Sequence, residues 1–318
     1  MSTQIQFQHY AKQLFLTDGG LETTLIFHEG IDLPYFAAFA LLAEEQGCNA
    51  IKNYYRRYLD IARQQNTGFI LESATWRASS DWGALLGYNE TQLKQANLKA
   101  IALLKELLQE YSNTISPILI SGCIGPRGDG YKVTDAMSVS EAAVYHEAQI
   151  VAFREANVDL ITAITMTNVK EAIAIASVAR SRSVPVVISF TVEADGKLPD
   201  GTPLSAAISL VDEMTHNYVS YFMINCAHPS HFSTTIDTDQ SWTKRIKGIR
   251  ANASKMSHAE LDEAEHLDDG DPQDLGKLYR DIREQHPHIN VLGGCCGTDH
   301  RHIQSISETC LEELLAEK

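Results

Sequence analysis

The sequence predicts an α/β protein built as a single (β/α)8 TIM barrel, and three observations lead to this fold class. Eight short apolar runs recur along the chain, longer segments of helical composition separate them, and no linker rich in Pro, Gly or Ser divides the series. Most runs are continuously hydrophobic, as expected for parallel strands that are covered on both faces. We therefore expect one barrel domain over residues 1–318 rather than two domains.

The predicted strands follow one another at intervals typical of alternating strands and helices. They are FLTDGG (15–20), TGFILESA (67–74), SPILISGC (116–123), VDLITAIT (158–165), VPVVISFT (184–191), YFMINCA (221–227), RIKGIRAN (245–252) and INVLGGCC (289–296). The seventh run has the weakest strand character. We therefore expect the barrel to be distorted near strands 7 and 8.

Amphipathic segments between the runs predict the helices. In residues 90–111, apolar side chains recur at spacings of three and four. Residues 138–158 begin with Ser140 as a candidate N-cap and Glu141 in the first turn, and residues 168–181 begin in a similar way. The acidic segment 254–274 is either a solvated helix and loop or a lid over the barrel mouth.

Composition and charge limit the classes of function. The formal net charge of −15 would repel a polyanion, so nucleic acid is not an expected partner. The N-terminus lacks the pattern of a signal peptide, and the sequence has no apolar run long enough for a membrane span, so we expect a cytoplasmic protein without a membrane partner. In that reducing compartment, the six cysteines are better explained as buried thiols or metal ligands than as disulfides.

Active sites of such barrels lie at the C-terminal ends of the strands, so the residues that close each run are the candidates. These residues are Asp18, Gly19, Gly20 and Glu22 after strand 1, Glu72 and Thr75 after strand 2, Asn225 and Cys226 after strand 6, and Cys295 and Cys296 after strand 8. Three of the six thiols therefore fall at one edge of the barrel.

Cys226, Cys295 and Cys296 have the chemistry of a zinc site. Three thiolates suit a borderline-soft, redox-silent cation and leave one position for a substrate. Adjacent cysteines on a regular strand point to opposite faces, so both can bind one ion only if the backbone bends, which Gly293, Gly294 and Gly297 permit. The alternative is that the three cysteines are small buried residues at the barrel rim.

Other polar residues near these positions have structural alternatives. His228, His300 and His302 lie near the cysteines in sequence, but Asp299 has the character of a helix N-cap, which would direct the following histidines along the helix. The carboxylates of Asp18 and Glu72 are expected either to bind a substrate or to form ion pairs at the barrel rim. Cys48, Cys123 and Cys310 are expected to be buried thiols, although Cys123 also closes a strand.

Five motifs carry a resemblance to a known family. They are DGGLETTL (18–25), GCIGPRGDGY (122–131), SFTVEADGKLPDGTPL (189–204), INCAHP (224–229) and GGCCGT (293–298). In this order, over residues 15–310, the chain resembles the zinc-dependent homocysteine S-methyltransferases, which include betaine-, S-methylmethionine- and methylfolate-dependent enzymes. The pairing of INC with GGCC is the most specific part of the resemblance.

The resemblance implies roles for individual residues. Cys226, Cys295 and Cys296 would form the catalytic Zn²⁺ centre, with the homocysteine thiol as the fourth ligand. Asp18, Gly19 and Gly20 would hold the amino acid, and Glu72, Thr75 and Asn225 would contribute further substrate contacts. Asn252 corresponds to an asparagine that can occupy the fourth position before substrate binds, although Arg250 and Ala251 depart from that motif.

One departure bears on the acceptor. Where the family usually has a Glu that binds the amino group of homocysteine, this chain has Ile164, whose side chain accepts no hydrogen bond. The partners implied are therefore a small-molecule thiol, either homocysteine or another small thiol, and a methyl donor; a non-catalytic zinc-binding or redox-sensing barrel is the third interpretation. The chain length favours a small donor such as S-methylmethionine or S-adenosylmethionine, and Trp76, Tyr88 and Tyr131 are candidates to pack against its cationic group.

Overall fold

The computed structural model describes residues 13–133, 137–264 and 266–316. Eight parallel strands form a closed barrel in sequence order, and β8 pairs with β1. The strands are β1 Phe15–Leu16, β2 Gly68–Glu72, β3 Ile118–Ile124, β4 Leu160–Met166, β5 Val186–Phe190, β6 Phe222–Asn225, β7 Ile246–Ala251 and β8 Val291–Gly294. Each strand overlaps one of the eight predicted runs, so the predicted (β/α)8 barrel is confirmed.

Helices alternate with the strands. They are α1 Leu21–Thr23, α2 Glu45–Gln65, α3 Ser80–Leu85, α4 Glu90–Tyr111, α5 Val139–Glu155, α6 Val169–Ser181, α7 Leu204–Thr215, α8 Pro229–Ile236, α9 His258–Asp262, α10 Pro272–Gln285 and α11 His300–Ala316. A π-helical turn, Thr24–His28, continues α1, and 3-10 turns form at Pro34–Phe36, Ala38–Ala43 and Ser241–Arg245. Among the described residues, no helix combines the length and apolar character that crossing a membrane requires.

Side-chain caps fix the starts of the helices close to the predicted positions. Asn168 caps α6 by accepting a hydrogen bond from the Glu171 amide at 3.0 Å. Helix α5 is capped by Ser138 rather than by the predicted Ser140. The Glu141 amide donates to the Ser138 hydroxyl at 3.3 Å while the Ser138 amide donates to the Glu141 carboxylate at 2.8 Å, and this reciprocal box is available only at a spacing of three residues.

Two main apolar cores, with a third small cluster of Met137, Ala142 and Ala174, hold the barrel and its helices together. The smaller core fills the barrel interior and contains Phe15, Ile70, Leu160, Val187, Tyr221, Met223 and Val291. The larger core lies between the outer faces of the strands and the surrounding helices. Because bulky side chains pack the barrel interior in layers, it is a core and not a pore, and the polar residues described below are left for its C-terminal end.

The strand register is irregular at two places. It shifts between Ala163 and Met166 in the β4–β5 pair and between Phe222 and Met223 in the β6–β7 pair. The distortion expected near strands 7 and 8 is present where β7 pairs with β6, whereas the β7–β8 pair keeps one register throughout. The shift at β4–β5 was not predicted. At β4 the backbone itself accounts for the shift, because Thr165 has a φ of 63° in the left-handed region.

Candidate metal centre and substrate cavity

Three cysteine sulfurs meet at the C-terminal end of the barrel. Cys226 directly follows β6, and Cys295 and Cys296 directly follow β8. Their Sγ atoms all lie within 4.8 Å of one another. Residues separated by 69 positions in the chain are brought together because the carboxyl ends of parallel strands share one edge of the barrel.

The adjacent cysteines do not lie on a strand. Strand β8 ends at Gly294, and the Thr298 amide donates a hydrogen bond to the Cys295 carbonyl at 3.1 Å, which closes a turn. The predicted bend is therefore present, and Gly297 provides it with a φ of 78°, a conformation that favours glycine. Gly293 and Gly294 have another role, because a Cβ at either position would overlap the side chain of Thr17 or Thr298.

Cys226 itself has a φ of 52°, and Thr165 opposite it has a φ of 63°. Residues other than glycine adopt this left-handed region at a cost, and such residues cluster at functional sites. The Cys226 backbone is held there by three hydrogen bonds. Its amide donates to the Arg250 carbonyl at 3.1 Å, and its carbonyl accepts from His258 at 2.7 Å and from the Thr191 hydroxyl at 3.4 Å.

Each of the three sulfurs has one polar neighbour that can donate a hydrogen bond to it. The Tyr131 hydroxyl lies 3.6 Å from Cys296 Sγ, the Thr165 hydroxyl lies 3.9 Å from Cys226 Sγ, and the Asn225 amide nitrogen lies 3.8 Å from Cys295 Sγ. Donors around thiolates stabilise the ionised form and fix the sulfur positions. The sequence had suggested Tyr131 only as an aromatic wall.

The structure joins Cys226 and Cys295 through a disulfide, whose Cα atoms are 5.4 Å apart. The sequence favoured free thiols or metal ligands over any disulfide, and this pair corrects that expectation. A disulfide and a metal centre are alternative states of the same sulfurs, because only a thiolate binds the ion.

The geometry of the cluster fits a zinc ion. Zn–S bonds of about 2.3 Å in a tetrahedral site place the sulfurs about 3.8 Å from one another, which the reduced cluster can reach with small side-chain movements. A further ligand is at hand in Asn252, which lines the same cavity. Its side-chain oxygen is buried and has no hydrogen-bond partner among the described residues, as expected of an atom that binds something absent here.

Beside the cysteines, Arg250 forms a buried ion cluster that the sequence did not predict. Its guanidinium lies 2.7 Å from the Asp18 carboxylate and 2.6 Å from the Glu72 carboxylate, and its Nε donates to the Gly294 carbonyl at 3.0 Å. Burial raises the pKa values of both carboxyl groups, and the charge of Arg250 opposes this. The one feature of the sequence that could have indicated this ion cluster is the presence of an arginine in a run that otherwise has the character of a buried strand.

The predicted substrate contacts fall into two groups. Asp18, Gly19, Gly20 and Glu72 line the cavity beside the cysteines, although both carboxylates already pair with Arg250. Thr75 and Asn225 are fully buried in the wall and bond to protein groups. Thr75 donates to the Cys123 carbonyl at 2.7 Å.

Asn225 is held in place by neighbouring strands. Its side-chain oxygen accepts from the Ser189 hydroxyl at 2.6 Å and from the Thr165 amide at 2.9 Å. Its nitrogen donates to the Thr165 hydroxyl at 2.8 Å and faces Cys295. In this geometry Asn225 positions a sulfur.

The cavity has a volume of about 460 Å³ and opens beside the cysteine cluster. Ile164 lines it, as do two of the three suggested aromatic residues, Trp76 and Tyr131, whereas Tyr88 packs elsewhere against Phe39. The acidic segment 254–274 also borders it through Leu261, Ala264, His266, Leu267 and Asp268. Parts of this segment are exposed and other parts line the cavity, and its role as a lid stays a prediction.

Of the alternative ligands considered from the sequence, His300 is exposed at the start of α11, and the others bond to different groups. His228 caps α8 through Ser230, and His302 lies 3.1 Å from the Asp299 carboxylate and 2.8 Å from the Asp269 carbonyl. Asp299 accepts a hydrogen bond from the Arg301 amide at 2.9 Å, as expected of a cap of α11. Cys123 lines the cavity without joining the group of three sulfurs.

Fold and site together define a (β/α)8 barrel with a three-cysteine candidate metal centre at the C-terminal ends of its strands. The chain belongs to the homocysteine S-methyltransferase family, whose sequence profile matches residues 15–310. The match covers all eight strands and the three cysteines. None of the curated proteins compared with the chain gives a significant match.

Solved structures show the same fold. The oxidized form of the homocysteine methyltransferase MmuM from Escherichia coli is 21% identical, with a TM-score of 0.75 over 97% of this chain and 99% of that one. Its metallated form is 20% identical, with a TM-score of 0.73 over 96% and 99% of the two chains. Its apo form is 20% identical, with a TM-score of 0.67 over 97% and 100%.

Proposed function

We propose that this protein is a zinc-dependent S-methyltransferase that transfers a methyl group from a small sulfonium or ammonium donor to the thiol of homocysteine, giving methionine. The observation that carries the proposal is the convergence of the Cys226, Cys295 and Cys296 sulfurs within 4.8 Å of one another beside a cavity of about 460 Å³. Family membership supports the reaction class, and a metallated form of MmuM supports the metal by analogy.

In this reaction the acceptor sulfur attacks the methyl carbon of the donor. A new S–CH3 bond forms while the bond to the cationic sulfur or nitrogen breaks, and the donor leaves as a neutral thioether or amine with the electron pair. When bound, Zn²⁺ would keep the acceptor sulfur as a thiolate near neutral pH.

The residues of this chain position the components. Cys226, Cys295 and Cys296 would hold the ion, and the neighbours Thr165, Asn225 and Tyr131 would fix the sulfur positions. Asn252 would occupy the fourth position until the acceptor binds. Trp76, which lines the cavity, offers an aromatic face for a cationic donor.

Metal content and activity of three single variants test this proposal. With the protein purified under reducing conditions, Cys226→Ala, Cys295→Ala and Cys296→Ala should each lower bound zinc from about one equivalent to near zero and abolish methionine formation from homocysteine and S-methylmethionine. Cys48→Ala is the matched control, because Cys48 lies outside the cluster on α2 and should leave both readouts unchanged. Retention of zinc and activity by all three variants would refute the proposal.

A second acceptor class is favoured by Ile164. This aliphatic side chain lines the cavity at the end of β4 and provides no charge for a substrate ammonium group. The same assay run with other small thiols separates the two candidates, because only the leading proposal requires homocysteine to have the highest kcat/KM.

A further inference from the structure

Arg77 is a buried cation that lines the cavity and forms no ion pair with a carboxylate of the described residues. Its side chain is sandwiched between Trp76 and Trp82, with the guanidinium carbon 4.1 Å and 3.8 Å from the two ring centroids, and the residue is 7% exposed. One nitrogen donates to the Gly128 carbonyl at 2.7 Å, whereas the buried Nε has no partner among the described residues. A guanidinium has five N–H donors, and a buried one is normally paired with an anion, so the group is available to bind one.

The other arginine of the cavity has no such capacity. Within the described residues, the cavity is lined by Arg77 and Arg250, and the guanidinium of Arg250 is already bonded to Asp18, Glu72 and the Gly294 carbonyl. The flat faces of the two indoles keep the Arg77 guanidinium in one plane, which leaves only its edge for hydrogen bonding. An edge of this kind matches the two oxygens of a carboxylate.

Glu22 is the complementary charge in the same cavity. This half-buried residue follows Gly20 on α1 and, apart from its own backbone amide, has no hydrogen bond or ion pair with any described residue. The Arg77 guanidinium feels the charge of Asp129 first and that of Glu22 next, and Glu22 also acts on Cys296, yet Glu22 and Arg77 form no direct ion pair. A small ligand could therefore lie between the two charges.

The remaining carboxylates of the cavity are engaged. Asp18 and Glu72 pair with Arg250. Asp129 accepts hydrogen bonds from the backbone amides of residues 131 and 132 at 2.7 and 3.1 Å, and Asp268 accepts from the Ser254 hydroxyl at 2.5 Å. Glu22 is thus the carboxylate of the cavity that is left to receive a cation.

We infer that Arg77 and Glu22 form an α-amino-acid binding pair, in which Arg77 binds the carboxylate and Glu22 the ammonium group of a substrate whose sulfur extends toward the cysteine cluster. The part of this inference that directs the substrate sulfur toward the cysteine cluster rests on the proposed methyl transfer. The ligand class is a sulfur-containing α-amino acid, which describes a homocysteine acceptor and an S-methylmethionine donor equally. Because Ile164 carries no charge, Arg77 and Glu22 supply the positive and the negative charge that bind the carboxylate and the ammonium group of such a ligand.

Binding of methionine to the full-length, reduced protein tests the pair independently of catalysis. Isothermal titration would compare methionine, methionine without its amino group and methionine without its carboxyl group. Arg77→Gln should weaken the binding of methionine and of methionine without its amino group by roughly 10- to 100-fold, because one charge-assisted contact to the carboxylate is lost. The affinity for methionine without its carboxyl group should stay within about twofold of the wild-type value. Glu22→Gln should weaken methionine and the ligand without a carboxyl group to a similar extent and spare the ligand without an amino group.

Arg56→Gln and Glu110→Gln are the matched controls, since these residues form an exposed ion pair remote from the cavity and should leave all three affinities unchanged. Equal weakening of all three ligands by Arg77→Gln would indicate a structural role and would overturn the inference. The inference would also be overturned if both variants bound all three ligands with unchanged affinity, or if the wild-type protein bound neither methionine nor homocysteine.

Steady-state kinetics identify the source of the bound amino acid. A higher KM for homocysteine in Arg77→Gln assigns the pair to the acceptor, and a higher KM for S-methylmethionine assigns it to the donor; either result supports the pair. If methionine binds and the variants discriminate as expected while no methyl transfer occurs, the binding pair stands and the proposed function fails.

Discussion

At the scale of single residues, the charge of Glu22 depends strongly on its surroundings. Burial raises the pKa of this carboxyl group from 4.5 to about 7; its backbone hydrogen bond and the charges of Arg77 and Arg250 act in the opposite direction, and Asp18 adds to the rise. The Glu22 carboxylate in turn raises the pKa of Cys296, which burial raises first and the Tyr131 hydroxyl lowers. Glu22 is therefore ionised in only part of the folded population near neutral pH.

This shift predicts a specific pH dependence of stability. Between pH 5 and 7 the folded protein holds a proton on Glu22 that the unfolded chain has released, so the free energy of unfolding falls as pH rises through this window. Glu22→Gln removes the effect. The difference in the free energy of unfolding between the variant and wild type should shift in favour of the variant by about 2–3 kcal/mol from pH 5 to pH 8, measured by urea unfolding at both values. Parallel profiles for the two proteins would contradict the prediction.

At the scale of elements, two loops shape the candidate metal centre together. The turn after β8 carries Cys295 and Cys296, and the segment between β1 and α1 packs directly against it. The Gly20 amide donates to the Thr298 carbonyl at 3.0 Å, and a Cβ on Gly20 would lie 2.6 Å from the Cys295 carbonyl oxygen. The glycines of the DGG motif therefore have a packing role as well as the substrate role suggested by resemblance.

Gly20→Ala should displace the cysteine turn. The Thr23 hydroxyl, which the added Cβ would also meet, can rotate away, but the Cys295 carbonyl belongs to the backbone of the turn and cannot. We expect zinc affinity to fall by about 10- to 100-fold, as is typical when the groups supporting metal ligands are disturbed. Competition with a chromophoric chelator measures this. Gly83→Ala is the control, since its Cβ would meet only the Leu93 side chain, 3.0 Å away, and zinc affinity should stay at the wild-type value. An unchanged affinity in Gly20→Ala would contradict this account of the turn.

At the scale of the whole molecule, Arg250 ties four neighbouring strands together at the mouth of the barrel. It lies on β7 and bonds to Asp18 after β1, to Glu72 on β2 and to the Gly294 carbonyl on β8. Although burial favours loss of its proton, the two carboxylates raise the pKa of Arg250. Two negative groups and one positive group thus share a site that is almost closed to solvent.

Removing the shared cation should destabilise the barrel strongly. Arg250→Met leaves two buried carboxylates without a counter-charge, and we expect the free energy of unfolding to fall by about 3–5 kcal/mol in urea titrations near neutral pH. Combining it with Asp18→Asn and Glu72→Gln removes the uncompensated charges as well and should restore part of the loss. A triple variant no more stable than Arg250→Met alone would show that the charges do not account for the effect.

The sequence alone was sufficient to predict the barrel fold and to single out the three cysteines that meet at its C-terminal end. Eight apolar runs predict eight buried strands, because hydrophobic patterning is local, and parallel strands in sequence order place their carboxyl ends on one edge. It also predicted that the cysteine pair needs a bent backbone, which Gly297 supplies after β8 has ended. These inferences depend on chain order and residue type, which a sequence contains in full.

Only the tertiary structure decided how the polar side chains are used. It placed Arg250 between Asp18 and Glu72, put Thr75 and Asn225 in the wall, and left Arg77 and Glu22 in the cavity without an ion-pair partner among the described residues. The physical reason is that a charge is paired or free according to distances of a few ångströms, which depend on strand register, barrel closure and side-chain direction. None of these quantities is local to the residues whose chemistry they determine.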